Sequence, residues 1–364
     1  MHIIFSCILI LVSTLNPSEN IALSEEVYAV FQSEKKGLFE STDVLELKLK
    51  GPVGKLLRDR GTDHKYHYLE LMYTDHNEVF THQIKARTRG NFRRLKSNCK
   101  VPPLTLNFKE DSIDHHSIFK GQTKLKLVLP CQDEKYVIRE YLVYKLYNLV
   151  TEFSFKVRLV RLTMHDSQKN KNRDPVYAFL IEDEDHLVER VNARILDKDG
   201  IKPNYLDKES FHKMAVFAFM IGNTDWSIQY RHNIKILYPE SLGRLVSVPY
   251  DFDLVGMVDA PYADPAPELK MRSVKQRRYR GYCVKSLSEF EETFSQFHEL
   301  KDEFYNTFTD CALLEEKYIK SMHSYLDDFY EILNDPKKCK KAFLYPCDKY
   351  GTGNIVLTGL PKKR

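Results

Sequence analysis

Apolar residues change their spacing part-way along this chain, and that change limits the architectures open to it. Residues 43–50 alternate apolar and polar, as a half-buried strand does. Residues 66–73 repeat the pattern, 74–77 supply a turn, and 79–87 return as a second strand. Pro102 and Pro103 lead into an edge-type strand ending at Phe108, and 124–129, 155–164 and 176–181 read as further strands. Among them, 136–150 has helical spacing, with Glu140 one of its few charges. After Glu182-Asp183-Glu184-Asp185, an acidic cap or helix start, the longer period takes over: 207–221, 286–308 and 311–333 predict helices. An antiparallel β-rich first half before a helix-rich second half predicts an α+β chain of two lobes with a cleft between them. The expected divisions are 23–183 for the β-rich lobe, 184–335 for the helical lobe and 336–364 for a tail.

With 364 residues the chain can build one large two-lobed domain or two ordinary ones. Its formal net charge of +4 is small for that length, so charge alone points to no nucleic-acid partner. The 22 Tyr and 21 Phe predict an aromatic-rich core. The first twelve residues form an apolar run of signal-peptide length, too short to span a membrane. It predicts an exported chain with a leader over 1–22; a buried N-terminal strand is the alternative, since no Lys or Arg precedes the run. No other segment is apolar enough to cross a membrane. Export would leave Cys99, Cys131, Cys283, Cys311, Cys339 and Cys347, an even set that permits disulfides. Cys339 and Cys347 bracket a short loop and form the most suggestive pair. The absence of C-x-x-C argues against zinc.

Two acidic knots carry the chemistry. The apolar run 214–221 leads into Gly222-Asn223-Thr224-Asp225-Trp226-Ser227; His232-Asn233 precede a short strand; Pro249-Tyr250-Asp251-Phe252-Asp253 follows the next one. Carboxylates and an amide delivered from the ends of rigid elements are how a metal–phosphate site is assembled. Phosphoryl transfer needs one carboxylate near the attacking group and hard oxygen ligands that hold Mg²⁺ against the phosphates. Asp225 suits the first role; Asn233 and Asp251 suit the second. A lone Asp in such a place is ordinarily a helix cap or turn former. The order Asp, Asn, Asp beside the chain's one Trp is what points to chemistry. Asp253 rivals Asp251, because on a strand both carboxylates would share one face.

Residues 85–96 hold a basic loop with Gly90 at its tip, in which Arg89, Asn91 and backbone N–H groups could cover phosphates; a solvated basic turn is the plainer reading. Glu140, on a helix behind the sheet, could hold a nucleotide-binding Lys; a surface charge is the commoner reading.

Taken together, Arg89-Gly90-Asn91, the strand 124–129 with Arg139 on the next helix, the strand 177–181 ending at Glu182, Gly222-Asn223-Thr224-Asp225 and Pro249-Tyr250-Asp251-Phe252-Asp253 resemble the CotH-like atypical protein kinases of spore coats and secreted proteins. The resemblance covers roughly residues 43–260, and implies a protein-kinase-like fold, ATP with Mg²⁺ or Mn²⁺, and phosphorylation of a secreted or coat protein. It makes Asp225 the catalytic or metal-facing Asp, Asp251 a metal ligand with Asn233 and Asp253 beside it, and Arg89, Asn91, Glu140 and Glu182 part of the nucleotide site. Lys100 is the preferred nucleotide lysine, with Lys85 and Lys126 as rivals. The loop departs from the family where Phe92-Arg93-Arg94 replaces small polar residues. Two other readings stand beside it. One is a non-catalytic surface-assembly module using the basic loop and the run 275–280. The other is a metal-dependent hydrolase, disfavoured because His232 is the one His near the centre.

Overall fold

The computed structural model describes residues 37–109 and 113–347. The expected leader over 1–22 and the end of the expected tail, 348–364, lie outside the described residues.

Eight strands form the first sheet: β1 (Leu45–Gly51), β2 (His67–Asp75), β3 (Glu78–Thr88), β4 (Leu104–Phe108), β5 (Lys124–Val128), β6 (Val157–Asp166), β7 (Lys171–Asn172) and β8 (Val176–Ile181). Their order is β1-β2-β3-β4-β5-β8-β6-β7, and β1 also pairs with β6. That last pairing closes seven strands into a barrel, with β7 as a short arm on β6. Every other pairing of neighbours is antiparallel, but β1 and β6 run parallel, from Leu45↔Val160 to Gly51↔Asp166. The expected antiparallel lobe is therefore a closed barrel with one parallel seam, made by strands far apart in sequence.

Alternate residues point inward and fill the barrel, among them Leu47, Leu49, Leu71, Ile84, Leu106 and Leu127. The strands β6 and β8 are covered on both faces. Val160, Leu162, Ala178 and Leu180 belong to the barrel core, while Val157, Leu159, Phe179 and Ile181 face the second core. Burial on both sides is why these two strands read as nearly continuous apolar runs.

Helix α1 (Val53–Arg58) lies beside β1 in sequence, and α2 (Glu134–Val150) follows β5. Asp133 caps α2 by accepting the Lys135 N–H at 3.0 Å. Ten of its 17 residues are buried, so it is apolar on more than one face and lies inside the protein. By sequence α2 sits among the strands; by packing it belongs to the core of the second half.

That half contains α3 (Glu184–Arg190), α4 (Lys208–Ile221), α5 (Glu291–Glu299), α6 (Lys301–Thr309), α7 (Glu316–Asn334) and α8 (Pro336–Phe343). A small sheet of β9 (Ala193–Ile195), β10 (Ile234–Pro239) and β11 (Val246–Pro249) has the order β11-β10-β9. The two long helices expected over 286–308 and 311–333 are corrected. The first is a 3₁₀ turn at Leu287–Phe290 followed by α5 and α6, which break at Leu300. The second begins only at Glu316 and gives way to α8 at Pro336, where Asp335 accepts the N–H groups of Lys337 and Lys338.

The expected Cys339–Cys347 pair does not form. Disulfides join Cys99 to Cys131 and Cys283 to Cys347. On α8, Cys339 shares the buried face with Phe343 and points into the core as a free thiol, as the helical period requires. Among the described residues, no helix is long and apolar enough to cross a membrane.

Candidate functional site

The first acidic knot is set by the end of α4. Asp207 caps the start of this helix, and Gly222 ends it in the left-handed conformation, φ 71°. A Cβ on Gly222 would stand 2.5 Å from Tyr325 Oη and 3.2 Å from the Gly256 Cα, so only glycine fits. Asn223 then turns the chain: its N–H donates to the Ala218 carbonyl and its Oδ1 accepts the Asp225 N–H at 3.0 Å. Trp226 is buried, and its Nε1–H donates to the Asn223 carbonyl at 3.3 Å. Ser227 and His232 exchange both backbone hydrogen bonds, which folds 227–232 into a tight loop.

The second knot is placed by strand register. β10 and β11 pair with Ile234 opposite Pro249. One residue further out, Tyr250 N–H donates to the Asn233 carbonyl at 3.0 Å. Asn233 and Asp251 are thereby neighbours at the open end of the hairpin. Both are left-handed, φ 52° and 63°. Non-glycine residues hold that conformation at a cost of about 1–3 kcal/mol and cluster at functional sites.

Asp225 is tightly oriented. His232 Nε2 lies 2.7 Å from its Oδ1, and Asn233 Nδ2 donates to its Oδ2 at 3.0 Å and to its carbonyl at 2.9 Å. Burial opposes a charge on His232. The hydrogen bond and charge of Asp225, with Asp251 beyond it, outweigh burial and raise the imidazole above its ordinary pKa. With Nδ2 committed to Asp225, Asn233 has Oδ1 left to act as an oxygen ligand.

Asp251 and Asp253 do not share a face. β11 has ended at Pro249, and the left-handed turn at Asp251 breaks the alternation a strand would impose. Asp251 is exposed to the cleft, and its carboxylate has no partner among the described residues. Asp253 turns inward and accepts Arg93 Nε–H at 2.7 Å; Arg93 Nη2 donates to Glu140 at 2.5 Å. All three side chains are buried. Burial raises the pKa of both carboxyls against the pull of Arg93, since one guanidinium faces two acids. Glu140 on α2 therefore holds an arginine of the basic loop, not a lysine.

These groups line a cleft of about 1350 Å³. Arg89, Gly90 and Asn91 contribute from the loop after β3, and Lys126 from β5. Glu184 joins Lys126 to Lys235 of β10, at 3.1 and 2.9 Å, and Lys126 Nζ also stands over the rings of Phe155 and Tyr250. Burial lowers the Lys126 pKa, Glu184 opposes that shift, and Arg89 and Lys235 add to it. The Arg89 guanidinium has no partner among the described residues.

Three expected nucleotide contacts lie elsewhere. Lys100 does not line the cleft: its N–H donates to the Cys131 carbonyl, and its own carbonyl accepts Arg60. Lys85 lies on the outer barrel face over the Tyr68 ring. Glu182 is buried and held by Arg190 and the Lys156 N–H, fastening the end of β8 to α3. Of the three lysines considered, Lys126 faces the cleft. Arg93, Tyr144 and Lys235 line it as well and were not expected. One signal for Tyr144 was present, because it lies four residues after Glu140 on the same helix and so shares its face.

Among the described residues, no three His, Cys, Asp or Glu side chains converge closely enough to hold a metal ion by themselves. Asn233 Oδ1 and the Asp251 carboxylate are hard oxygen donors, and they fit an ion such as Mg²⁺, which takes one or two carboxylates and completes its shell with phosphates and water.

No protein-family model matches the chain, and no curated protein matches it in sequence. Among solved structures it is similar to the Helicobacter pylori proinflammatory kinase CtkA, with a TM-score of 0.35 and 12% identity, over 67% of this chain and 90% of that one. A likeness of that size carries no functional argument, and the cleft's own residues have to.

Proposed function

We propose that this chain is an ATP- and divalent-metal-dependent phosphotransferase with a two-lobed, kinase-like fold of the CotH-like kind, acting on a secreted or cell-surface protein. The observation that carries the reading is the gathering of Asp225, Asn233 and Asp251, in that chain order, in the lining of one cleft together with Lys126 and Arg89. Asp225 is oriented by two donors and takes the proton of the acceptor hydroxyl as its oxygen attacks the γ-phosphorus and ADP leaves. Lys126 and Arg89 bind phosphate oxygens. Asn233 and Asp251 hold Mg²⁺ or Mn²⁺, which would supply charge neutralisation at the phosphates when bound. Two disulfides suit an exported chain, since such bonds persist in oxidising compartments.

The non-catalytic module has less support. Its basic run is largely committed inside the protein: Arg277 donates to the carbonyls of Met220 and Tyr325, Arg278 to that of Leu269, and Arg280 to that of Trp226. Little of it is left for an anionic partner.

The test is incubation with ATP labelled at the α or the γ position, with Mn²⁺ or Mg²⁺ and a panel of acceptor proteins. Transfer of the γ label is expected. Transfer of the α label would mean AMP transfer. Absence of both, with no thermal shift at millimolar nucleotide and metal, would favour the binding module.

A further inference from the structure

Asp251 occupies the left-handed backbone region, φ 63°, which Asp tolerates better than most residues but which still costs free energy unless its surroundings hold it. One hydrogen bond does so from outside the loop: the Asp251 N–H donates to Tyr144 Oη at 2.9 Å. Tyr144 comes from α2, more than a hundred positions earlier in the chain, and is itself buried. Its ring packs edge-on against Phe252 at 4.7 Å and tilted against Phe179 at 5.7 Å. The ring, and with it the hydroxyl, is therefore fixed in space by packing against both phenylalanines. One turn earlier on the same face, Glu140 holds Arg93 and, through it, Asp253. Helix α2 thus grips the second knot at two points, a backbone N–H at Asp251 and a side chain at Asp253.

We infer that Tyr144 is a positioning residue, which fixes Asp251 in its left-handed conformation and so directs its free carboxylate into the cleft toward the ion. The inference rests on the phosphotransfer reading for the identity of that ion; the hold on Asp251 does not. Loss of the hydroxyl leaves the ring packing in place but removes the acceptor of the Asp251 N–H. The peptide at 250–251 is then free to relax toward the ordinary extended region, and the carboxylate swings away from Asn233.

The test compares Tyr144→Phe with Tyr141→Phe, the same deletion on the same helix at a residue outside the cleft lining. Amide exchange is read at Asp251 in the ligand-free protein. Mn²⁺ affinity is then read by the spectroscopic signal of the free ion in the presence of a non-hydrolysable ATP analogue. Tyr144→Phe should melt within a few degrees of the unaltered protein. It should speed exchange at Asp251 and weaken Mn²⁺ binding, each by roughly three- to tenfold, the worth of one hydrogen bond. Tyr141→Phe should do neither. Unchanged exchange at Asp251 would overturn the inference. So would faster exchange with unchanged Mn²⁺ affinity, since the bond would then be structural only. If the unaltered protein binds no Mn²⁺ with nucleotide, the phosphotransfer reading falls, and exchange at Asp251 still decides whether Tyr144 holds it.

Discussion

Inside the barrel, three buried polar side chains serve one another. Tyr73 Oη and His82 Nε2 both meet Ser117 Oγ, at 2.8 and 2.9 Å, under a layer of Phe80, Phe108 and Phe119. In the cleft, one guanidinium faces two buried acids, three non-glycine lining residues (Arg231, Asn233 and Asp251) hold left-handed backbone, and Asp251 and Arg89 have no partner among the described residues. The barrel is arranged to be stable without a ligand, while the cleft stores strain and unpaired charge that a ligand would relieve. Substitutions in the two regions should therefore separate stability from transfer.

The largest expected effect is on transfer. Asp225→Asn should lower the rate ~10²–10⁴-fold while nucleotide binding and melting stay near those of the unaltered protein. A variant that melts early yet keeps full transfer would place Asp225 on the barrel's side of the comparison, as a turn former.

Next comes Arg93→Met, which leaves Glu140 and Asp253 buried with no cation and should cost about 3–5 kcal/mol at neutral pH. The pH dependence has a definite sign. Both carboxyls have folded-state pKa values above their ordinary range, so the folded protein binds more protons than the unfolded one, and stability falls as pH rises through that window. Without Arg93 the fall should steepen, so melting curves should show a greater loss at pH 8 than at pH 5. An equal loss at both would show that the acids are not the cause.

In the barrel, Leu106→Ala should cost about 2–5 kcal/mol through the cavity it leaves. Transfer per folded molecule should not change. A large loss of transfer below the melting transition would break the separation between the two regions.

The periodicities that define β2, β3, β8 and α4 are local, and these elements are legible in the sequence. The parallel seam between β1 and β6 is not, because nothing near either strand specifies a partner a hundred residues away. The same limit explains the lysines. Lys124 and Lys126 both point out of the barrel, and which of the two borders the cleft is set by what packs beside β5. The division between Asp251 and Asp253 was hidden for another reason. Alternation along a strand puts them on one face, but the strand stops at Pro249 and the left-handed turn at Asp251 sends them apart.

That division gives the sharpest test of the whole account: Mn²⁺ affinity in the presence of a non-hydrolysable ATP analogue, measured on Asp251→Asn and Asp253→Asn side by side. Asp251→Asn should weaken the ion by more than ~10-fold, because it removes a cleft carboxylate that has no other partner among the described residues. Asp253→Asn should keep most of the affinity and lose melting temperature instead, because its carboxylate is committed to Arg93. The reverse pattern, or no Mn²⁺ binding to the unaltered protein, would contradict the account.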